Sequence, residues 1–285
     1  MFGLFNVGCF QIRREMKNLN KIILMFVLSF GVMNFVQARE YTFSVVPRVA
    51  PKKLVKMWRP FIKELSRSTG LKFKFVTTKD IPTFEKELAN GAYDFAFMSP
   101  FHYIMASKNS GYRAFAHEDK KLVGVLVALK DSKLTGLKDL AGKTLAFPAP
   151  NAFAASLIIR AELIKQAIPF TPKYVKSHDN VYKTVSTGYF LAGGGVGKTF
   201  KNTNKVVRSK LKVLWTTPGY VPHAFASHKN VPADVLAKVK AAFVKMQSTA
   251  KGKGAIKSAK LKPLVPSNDK EYDMIRNLNL ESIAK

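Results

Sequence analysis

Residues 88–103 read LANGAYDFAFMSPFHY, and the order of elements in this stretch decides the fold. Gly91 ends the short helix that the preceding residues predict, since glycine favours the position just past a helix. The run DFAFM, residues 94–98, is typical of a strand. The residues from Ser99 onward indicate a loop that enters another helix. This alternation of helix and strand predicts a parallel α/β sheet.

The same alternation extends in both directions along the chain. Upstream, YTFSVV at 41–46 and LKFKFVT at 71–77 are rich in β-forming residues and predict two strands. Between them, WRPFIKELSRSTG at 58–70 has apolar residues at helical spacing, and Pro60 is expected to kink this helix. Downstream, LVGVLVAL at 122–129 is an unbroken apolar run, as expected for a strand covered on both faces.

The number of alternating units predicts two α/β lobes rather than one. We expect the chain to cross between them near residues 123–130 and again near 214–226. The predicted lobe I comprises residues 39–125 and 220–285, and lobe II comprises 126–219.

The N-terminus has the features of an export signal. A basic stretch begins at Met16, an apolar run occupies residues 22–36, and VQA at 36–38 suits a signal peptidase. We predict a signal peptide, Met16–Ala38, preceded by an upstream extension, and a mature protein in the periplasm that does not span the membrane. The alternative is an uncleaved anchor, but the apolar run is shorter than the roughly 20 residues of a membrane span.

Composition excludes several kinds of chemistry. The one cysteine, Cys9, precedes the predicted cleavage point, so we expect no disulfide, cysteine nucleophile or thiolate metal site in the mature chain. The sequence also shows no cluster of histidines and carboxylates. We therefore predict no catalytic residues, no metal and no cofactor.

The net charge of +29 favours an anionic partner. The positive residues are dispersed, and the densest run, KGKGAIKSAKLK at 251–262, has no interleaved aromatic residues. A solvated basic face explains that run, and we expect no nucleic-acid partner. Binding of polyanions through charge is the alternative, and it would be steeply salt-dependent.

The stretch LAGGGVGKTF at 191–200 fits the loose form of a nucleotide-binding P-loop. FKNTNK follows, without the apolar stripe of a helix, and no apolar run ends in an aspartate that could hold magnesium. ATP and GTP are also scarce outside the cytoplasm. We therefore interpret the glycines as positions where the backbone approaches a neighbouring lobe or ligand, with an NTPase as the less favoured alternative.

Four stretches in order carry a resemblance to a known family. They are WRPFIKELSRSTG, LANGAYDFAFMSPFHY, GLKDLAGKTLAFPAPNAFAAS and SHDNVY. Over residues 41–250 the chain resembles the phosphate/phosphite/phosphonate-binding family of periplasmic ABC-transporter substrate-binding proteins. The resemblance implies the type 2 fold, in which two lobes, each a mostly parallel sheet flanked by helices, close over one ligand without catalysis. It also implies an inner-membrane ABC permease as partner, and we expect a monomer.

Three predicted helix starts follow strand ends, at residues 99–103, 151–155 and 178–180. Helix N-termini present free N–H groups and a positive dipole end, which suit a small oxyanion. The candidate ligand-binding residues at or near these starts are Ser99, Tyr103, Asn151, Ala152, Phe153, His178 and, after the first strand, Arg48.

Each candidate side chain has a structural alternative. Ser99 and Tyr103 can donate hydroxyl protons, and the resemblance implies that the tyrosine of this turn contacts the oxyanion. Ser99 could equally cap its helix, and Tyr103 could pack with its hydroxyl in water. The resemblance also favours His178 as a donor, although a lone histidine is usually a surface or core residue. The Arg48 guanidinium suits phosphoryl oxygens, with simple surface exposure as the alternative.

The residues around the predicted site indicate which kind of small anion binds. In PNAFAAS at 150–156, Ala152 and Ala154 lack the side-chain hydroxyls that family members binding aminoalkyl phosphonates carry, and no carboxylates for a ligand amine are visible near 191–200. Donors dominate, with Asp179 and Asn151 as the possible acceptors. We therefore expect phosphite or a small phosphonate to bind better than phosphate, with Phe101 and Phe153 sheltering the apolar substituent. The alternative is a sensor or binding protein of the same fold for another small anion.

Overall fold

Two β-sheets form the framework of the chain, and the computed structural model describes them within residues 39–284. The predicted signal peptide, Met16–Ala38, lies outside the described residues. Within 39–284, no helix has both the length and the apolar character that a bilayer crossing requires.

The strands and helices alternate along the chain as the sequence predicts. In chain order the strands are β1 (Glu40–Val45), β2 (Lys72–Val76), β3 (Phe95–Met98), β4 (Arg113–Glu118), β5 (Gly124–Leu129), β6 (Lys143–Phe147), β7 (Phe170–Tyr174), β8 (Ala192–Val196), β9 (Leu211–Thr216), β10 (Ala224–Ser227) and β11 (Leu264–Pro266). The α-helices are α1 (Pro51–Thr69), α2 (Ile81–Ala89), α3 (Pro100–Ser110), α4 (Ile158–Lys165), α5 (His178–Ser186), α6 (Gly197–Lys201), α7 (Lys205–Ser209), α8 (Ala233–Ser248), α9 (Ala250–Ser258) and α10 (Asp273–Arg276). Short 3₁₀ turns occupy Leu137–Leu140, Asp269–Tyr272 and Leu280–Ser282, and a π-helical turn occupies Phe153–Leu157.

In each sheet most strands run in one direction and one antiparallel strand is inserted among them, and in the first sheet the edge strand β11 is also antiparallel to its neighbour β4. The first sheet has the order β11-β4-β10-β3-β1-β2, and β10 runs antiparallel to β3 and β4. The second has the order β7-β6-β8-β5-β9, and β5 runs antiparallel to β8 and β9. We call the elements around the first sheet the first lobe and those around the second sheet the second lobe. This arrangement confirms the predicted two-lobed α/β fold.

The chain crosses between the lobes in two adjacent segments, 119–123 and 217–223. The Leu122 N–H donates to the Tyr220 carbonyl over 2.8 Å, and the Tyr220 N–H donates back over 2.9 Å. The first crossing precedes β5, so residues 124–129 belong to the second sheet. The lobe limits given from the sequence stay a prediction in their detail.

Helix α1 follows its predicted pattern. Leu54, Trp58, Phe61 and Leu65 are buried on one face, where they pack against the first sheet. Gly70 ends the helix at a φ of 72°, a left-handed conformation that favours glycine. The helix continues through the proline that we expected to kink it.

The glycine run lies within strand β8 and allows close packing. The strand spans Ala192–Val196, so all three glycines of the run lie inside it. A Cβ at Gly194 would lie 1.9 Å from the Ala155 carbonyl oxygen, and one at Gly124 would lie 2.0 Å from that of Ala154. Because these two residues have no side chain, the turn Phe153–Leu157 packs directly against the second sheet.

We expect Gly194→Ala to destabilise the protein by about 1–3 kcal/mol or more, because the contact is with backbone that cannot move aside. Urea unfolding of the mature chain measures the change. Gly136→Ala is the matched control, since nothing lies within 4 Å of its Cβ position. Equal stability of the two variants would contradict the packing role of the glycine run.

Candidate functional site

A small cavity lies between the two lobes, at the ends of strands from both sheets. Its volume is about 20 Å³, which leaves room for about one water molecule. Much of its wall is apolar, and the polar side chains that line it are Arg48, Ser99, His102, His178 and His223.

Arg48 is a buried cation at the edge of this cavity. It follows β1, is 8% exposed, and its guanidinium lies 5.6 Å from the centre of the Phe97 ring. Burial lowers the pKa of Arg48, an effect that Glu118 opposes. Glu118 itself accepts from Lys198 Nζ over 2.6 Å and from the Lys262 N–H over 2.8 Å. Among the described residues no carboxylate is hydrogen-bonded to Arg48, so its charge is left for an anion.

His178 begins helix α5 and faces Arg48 from the second lobe. Its backbone N–H donates to the Arg48 carbonyl over 3.4 Å, which joins the two lobes at the cavity. Burial, and secondarily the charge of Arg48, lower the pKa of His178 to about 3. The ring is therefore neutral near pH 7. Nδ1 lies 3.3 Å from Thr199 Oγ1, which also donates to the Val196 carbonyl, so Nε2 is the ring nitrogen left for a ligand.

His223 reaches the cavity from the segment that returns to the first lobe. Its ring stacks on Phe97, with the ring centres 5.2 Å apart, and the side chain is almost fully buried. Burial, followed by the charge of Arg48, holds the pKa of His223 well below its ordinary value. Phe97 thus supports both a cation and a neutral imidazole. His223 was not among the residues predicted from the sequence, because no local pattern marks a residue on a crossing segment.

Two helix starts complete the cavity. Ser99 caps α3, and its Oγ accepts the His102 N–H over 3.2 Å. Ala152, Phe153, Ala154 and Ala155 line the opposite wall. The Ala152 N–H donates to the Ala149 carbonyl over 3.3 Å, and the N–H groups that follow it at the start of the helix lack intrahelical acceptors. The predicted residues that line the cavity are Arg48, Ser99, Ala152, Phe153 and His178.

The structure does not bring Tyr103 and Asn151 to this cavity. Tyr103 is fully buried in the first lobe, where its hydroxyl donates to Asp269 over 2.7 Å and accepts the Ala114 N–H. Burial raises the pKa of Tyr103 to about 12. The Asn151 amide donates to Glu85 over 3.1 Å. The placement expected for these two side chains is therefore corrected.

Asp179, expected as a helix cap and a possible acceptor, has another partner. Its carboxylate pairs with Lys53 over 3.0 Å, and Ser177 caps helix α5 instead. Phe101, expected to shelter the ligand, lines a neighbouring cavity and not this one. Within residues 39–284, no cluster of histidine, cysteine and carboxylate side chains is suited to a metal ion.

A larger basic chamber of about 620 Å³ adjoins the cavity. Arg48, Leu122, Val196 and His223 line both spaces, so the two are neighbours at the crossing segments. The chamber also exposes Lys120, Lys121, Lys198, Lys201 and Arg208.

The lysine of the P-loop-like stretch has a structural partner in this chamber. The Lys198–Glu118 pair joins α6 in the second lobe to β4 in the first. Burial lowers the pKa of Lys198 to about 8, although Glu118 opposes the shift. Since the preceding glycines form a strand rather than a loop, the stretch does not have the geometry of a phosphate-binding P-loop.

Two lobes that enclose a cavity with a buried cation beside a double crossing are typical of a substrate-binding protein of the periplasmic type. The chain belongs to the family of periplasmic substrate-binding proteins of phosphonate ABC transporters, which matches residues 43–272. A relative from Mycolicibacterium smegmatis, the phosphate-import protein PhnD, is 23% identical over 278 residues, covering 83% of this chain and 84% of the relative.

Two solved structures share the fold. The binding protein of an ABC phosphonate transporter from Pseudomonas aeruginosa superposes with a TM-score of 0.78 at 18% identity, covering 86% of this chain and 88% of its own. PhnD1 from Prochlorococcus marinus, solved in complex with methylphosphonate, gives the same TM-score and identity, with 86% and 98% covered.

The depressed pKa of His178 predicts a loss of stability in mild acid. The unfolded chain binds a proton near the ordinary pKa of 6.5, whereas the folded chain does not until about pH 3. Stability contributed by the neutral ring is therefore present above pH 6.5 and lost as the pH falls. Between pH 7.5 and 5 we expect a loss of about 2 kcal/mol in the free energy of unfolding from this residue.

Urea unfolding at the two pH values, with His178→Asn beside the wild type, measures this contribution. The variant should lose about 2 kcal/mol less than the wild type over the same range. An equal loss in both proteins would show that the folded chain accommodates the charged ring, for example by opening the cleft.

Proposed function

We propose that this protein captures a small phosphorus oxyanion, of the phosphite or phosphonate type, in the periplasm and delivers it to an ABC permease. The observation that carries the proposal is the buried Arg48 guanidinium, which faces the inter-lobe cavity without a hydrogen-bonded carboxylate among the described residues. A buried charge of this kind requires a counter-charge, and a bound anion supplies it.

The surrounding groups suit a phosphoryl group in particular. His178 and His223 are neutral, so each can offer an N–H without adding charge. The helix start at 153–155 offers backbone N–H groups from the opposite wall. The names of the relatives point to the same ligand class, since one is a phosphate-import protein and another was solved with methylphosphonate.

The apolar part of the wall supports a preference for phosphite or a small phosphonate. Val46, Ile81, Leu122 and Phe153 line the cavity beside the polar groups. A hydrogen or methyl substituent on phosphorus can lie against this wall, whereas a fourth oxygen of phosphate would lose hydrogen bonds there. The expected preference for phosphite or a small phosphonate therefore remains, and of the two phenylalanines Phe153 alone lines this cavity.

A ligand amine finds little support near the cavity. The nearby carboxylate Glu118 already accepts from Lys198 and from a backbone N–H. An aminoalkyl phosphonate would have to displace these donors, so we infer that its ammonium group adds no affinity.

The arrangement corresponds to a closed cleft. Beside the cavity, the lobes are joined by Lys53–Asp179, Glu118–Lys198 and Glu85–Asn151. A cavity of about 20 Å³ is too small for a phosphonate, so a ligand requires the lobes to separate or the walls to shift. We infer that the paired crossing segments act as the hinge.

Substitution of Arg48 tests the proposed site. Arg48→Met should weaken methylphosphonate binding at least about 30-fold, because the ligand charge would be buried without its cation. Tyr103→Phe is the control and should change affinity less than about threefold, since its hydroxyl contacts Asp269 rather than the cavity. Isothermal titration calorimetry on both variants measures the effect. Unchanged affinity in Arg48→Met would contradict the site.

Selectivity is tested separately on the wild type. Phosphite and methylphosphonate should each bind about tenfold more tightly than phosphate, as expected for one buried polar group without a partner. Competition titrations at one pH give the ratios. Equal affinities would contradict the role of the apolar wall, and binding of a non-phosphorus anion alone would indicate the alternative ligand.

A further inference from the structure

His102 lies where the inter-lobe cavity meets a second one. It is in the first turn of α3, is 3% exposed, and its backbone N–H is held by Ser99. The second cavity, of about 290 Å³, is lined by Glu85 and Asn151, which do not line the first. His102 lines both. Its ring therefore separates the ligand cleft from a second space behind it.

The two ring nitrogens have different surroundings. His102 Nε2 lies 2.8 Å from Glu85 Oε1. An ionised carboxylate only accepts hydrogen bonds, so Nε2 carries the hydrogen. Nδ1 is buried and has no hydrogen-bond partner among the described residues. Since Nε2 is directed to Glu85 on the side of the second cavity, Nδ1 is the nitrogen left for the ligand cleft.

Glu85 is itself fixed by the closed arrangement. Its second oxygen accepts the Asn151 amide over 3.1 Å, and this bond joins α2 of the first lobe to the helix start of the second. The carboxylate that sets the His102 tautomer is thus oriented when the lobes are together. The charged and titratable groups around the ring are Glu85 on α2, Arg48 after β1, His178 on α5, His223 on the returning segment and Glu281 at the second cavity.

We propose that His102 is a specificity-determining residue whose Nδ1 accepts the acidic hydroxyl of a monoprotonated phosphorus oxyanion. This inference rests on the proposed function and names the protonation state that the same site selects. Phosphorus oxyanions have a second ionisation near neutral pH, so they arrive with a proton to donate. In the complex one proton lies between a ligand oxygen and Nδ1. The Nε2–H group continues to donate its hydrogen bond to Glu85.

A fully ionised tetrahedral anion lacks that proton. For sulfate, the ligand therefore brings no hydrogen for a bond to Nδ1. Without it, an anion oxygen meets a buried lone pair. The hydroxyl of a monoprotonated phosphonate or phosphite can donate to Nδ1, whereas sulfate has no hydroxyl. The site therefore favours the phosphorus oxyanions, although sulfate has a similar shape.

The test measures methylphosphonate and sulfate affinities by calorimetry at pH 7. His102→Phe keeps a ring without nitrogen, and we expect the ratio of the two affinities to fall at least about tenfold. His102→Asn keeps an acceptor oxygen near the position of Nδ1 and should retain most of the ratio. Met105→Leu, on the same helix but lining only the second cavity, is the control and should behave as wild type.

The pH profile separates this role from a structural one. Above the second ionisation of methylphosphonate, wild-type affinity should fall by up to about tenfold per pH unit, since the complex requires one proton. The fall should be shallower in His102→Phe. Equal weakening of both ligands in His102→Phe, with the wild-type profile retained, would overturn the proposal and leave the binding function intact.

A further measurement uses the wild-type protein alone, so it does not depend on whether a variant folds. Nitrogen-15 NMR of the imidazole should show the Nε2–H tautomer for His102 in the free protein and a changed Nδ1 shift with methylphosphonate. An Nδ1–H tautomer would overturn the inference. Failure of the wild type to bind any phosphorus oxyanion would overturn the proposed function and this inference together.

Discussion

The structure depends on a buried guanidinium that no carboxylate within residues 39–284 neutralises through a hydrogen bond. Arg48 lies on the Phe97 ring between the lobes, and its field and the burial of the cleft keep the neighbouring imidazoles uncharged. Neutral rings add donors without adding repulsion, so the site concentrates one positive charge among many N–H groups. Such a centre favours a small anion over a neutral solute, because a bound anion adds to the partial compensation that Glu118 gives for the desolvation of the arginine.

The parts of the site that the sequence predicts are those with local signals. Strand ends followed by helix starts are visible in the chain, and the cavity is lined by Ser99, Ala152 and His178 from three such starts. Strands that run parallel deliver their carboxyl ends to the same edge of a sheet. Local pattern and topology together therefore place these residues near one another, even though the three segments are distant in sequence.

Side-chain direction and long-range partners could not be predicted in the same way. Positions three and four residues after Ser99 are both neighbours of Ser99 on the helix surface, one on each side of it, so periodicity could not choose between His102 and Tyr103. Long-range hydrogen bonds decide which of the two side chains reaches the cavity. Asp269, far along the chain, accepts the Tyr103 hydroxyl, and Glu85 accepts from the His102 ring. His223 had no local signal, since it lies on a crossing segment.

The basic chamber beside the cleft has a consequence for how quickly an anion is captured. Its lysines surround a space that shares Arg48 with the cavity, and they add a positive potential at the approach to it. Such a field raises the encounter rate of anions, while equilibrium selectivity is set by the buried contacts. Because mobile ions screen exposed charge far more than buried charge, ionic strength should act mainly on the association rate constant and much less on the choice of ligand.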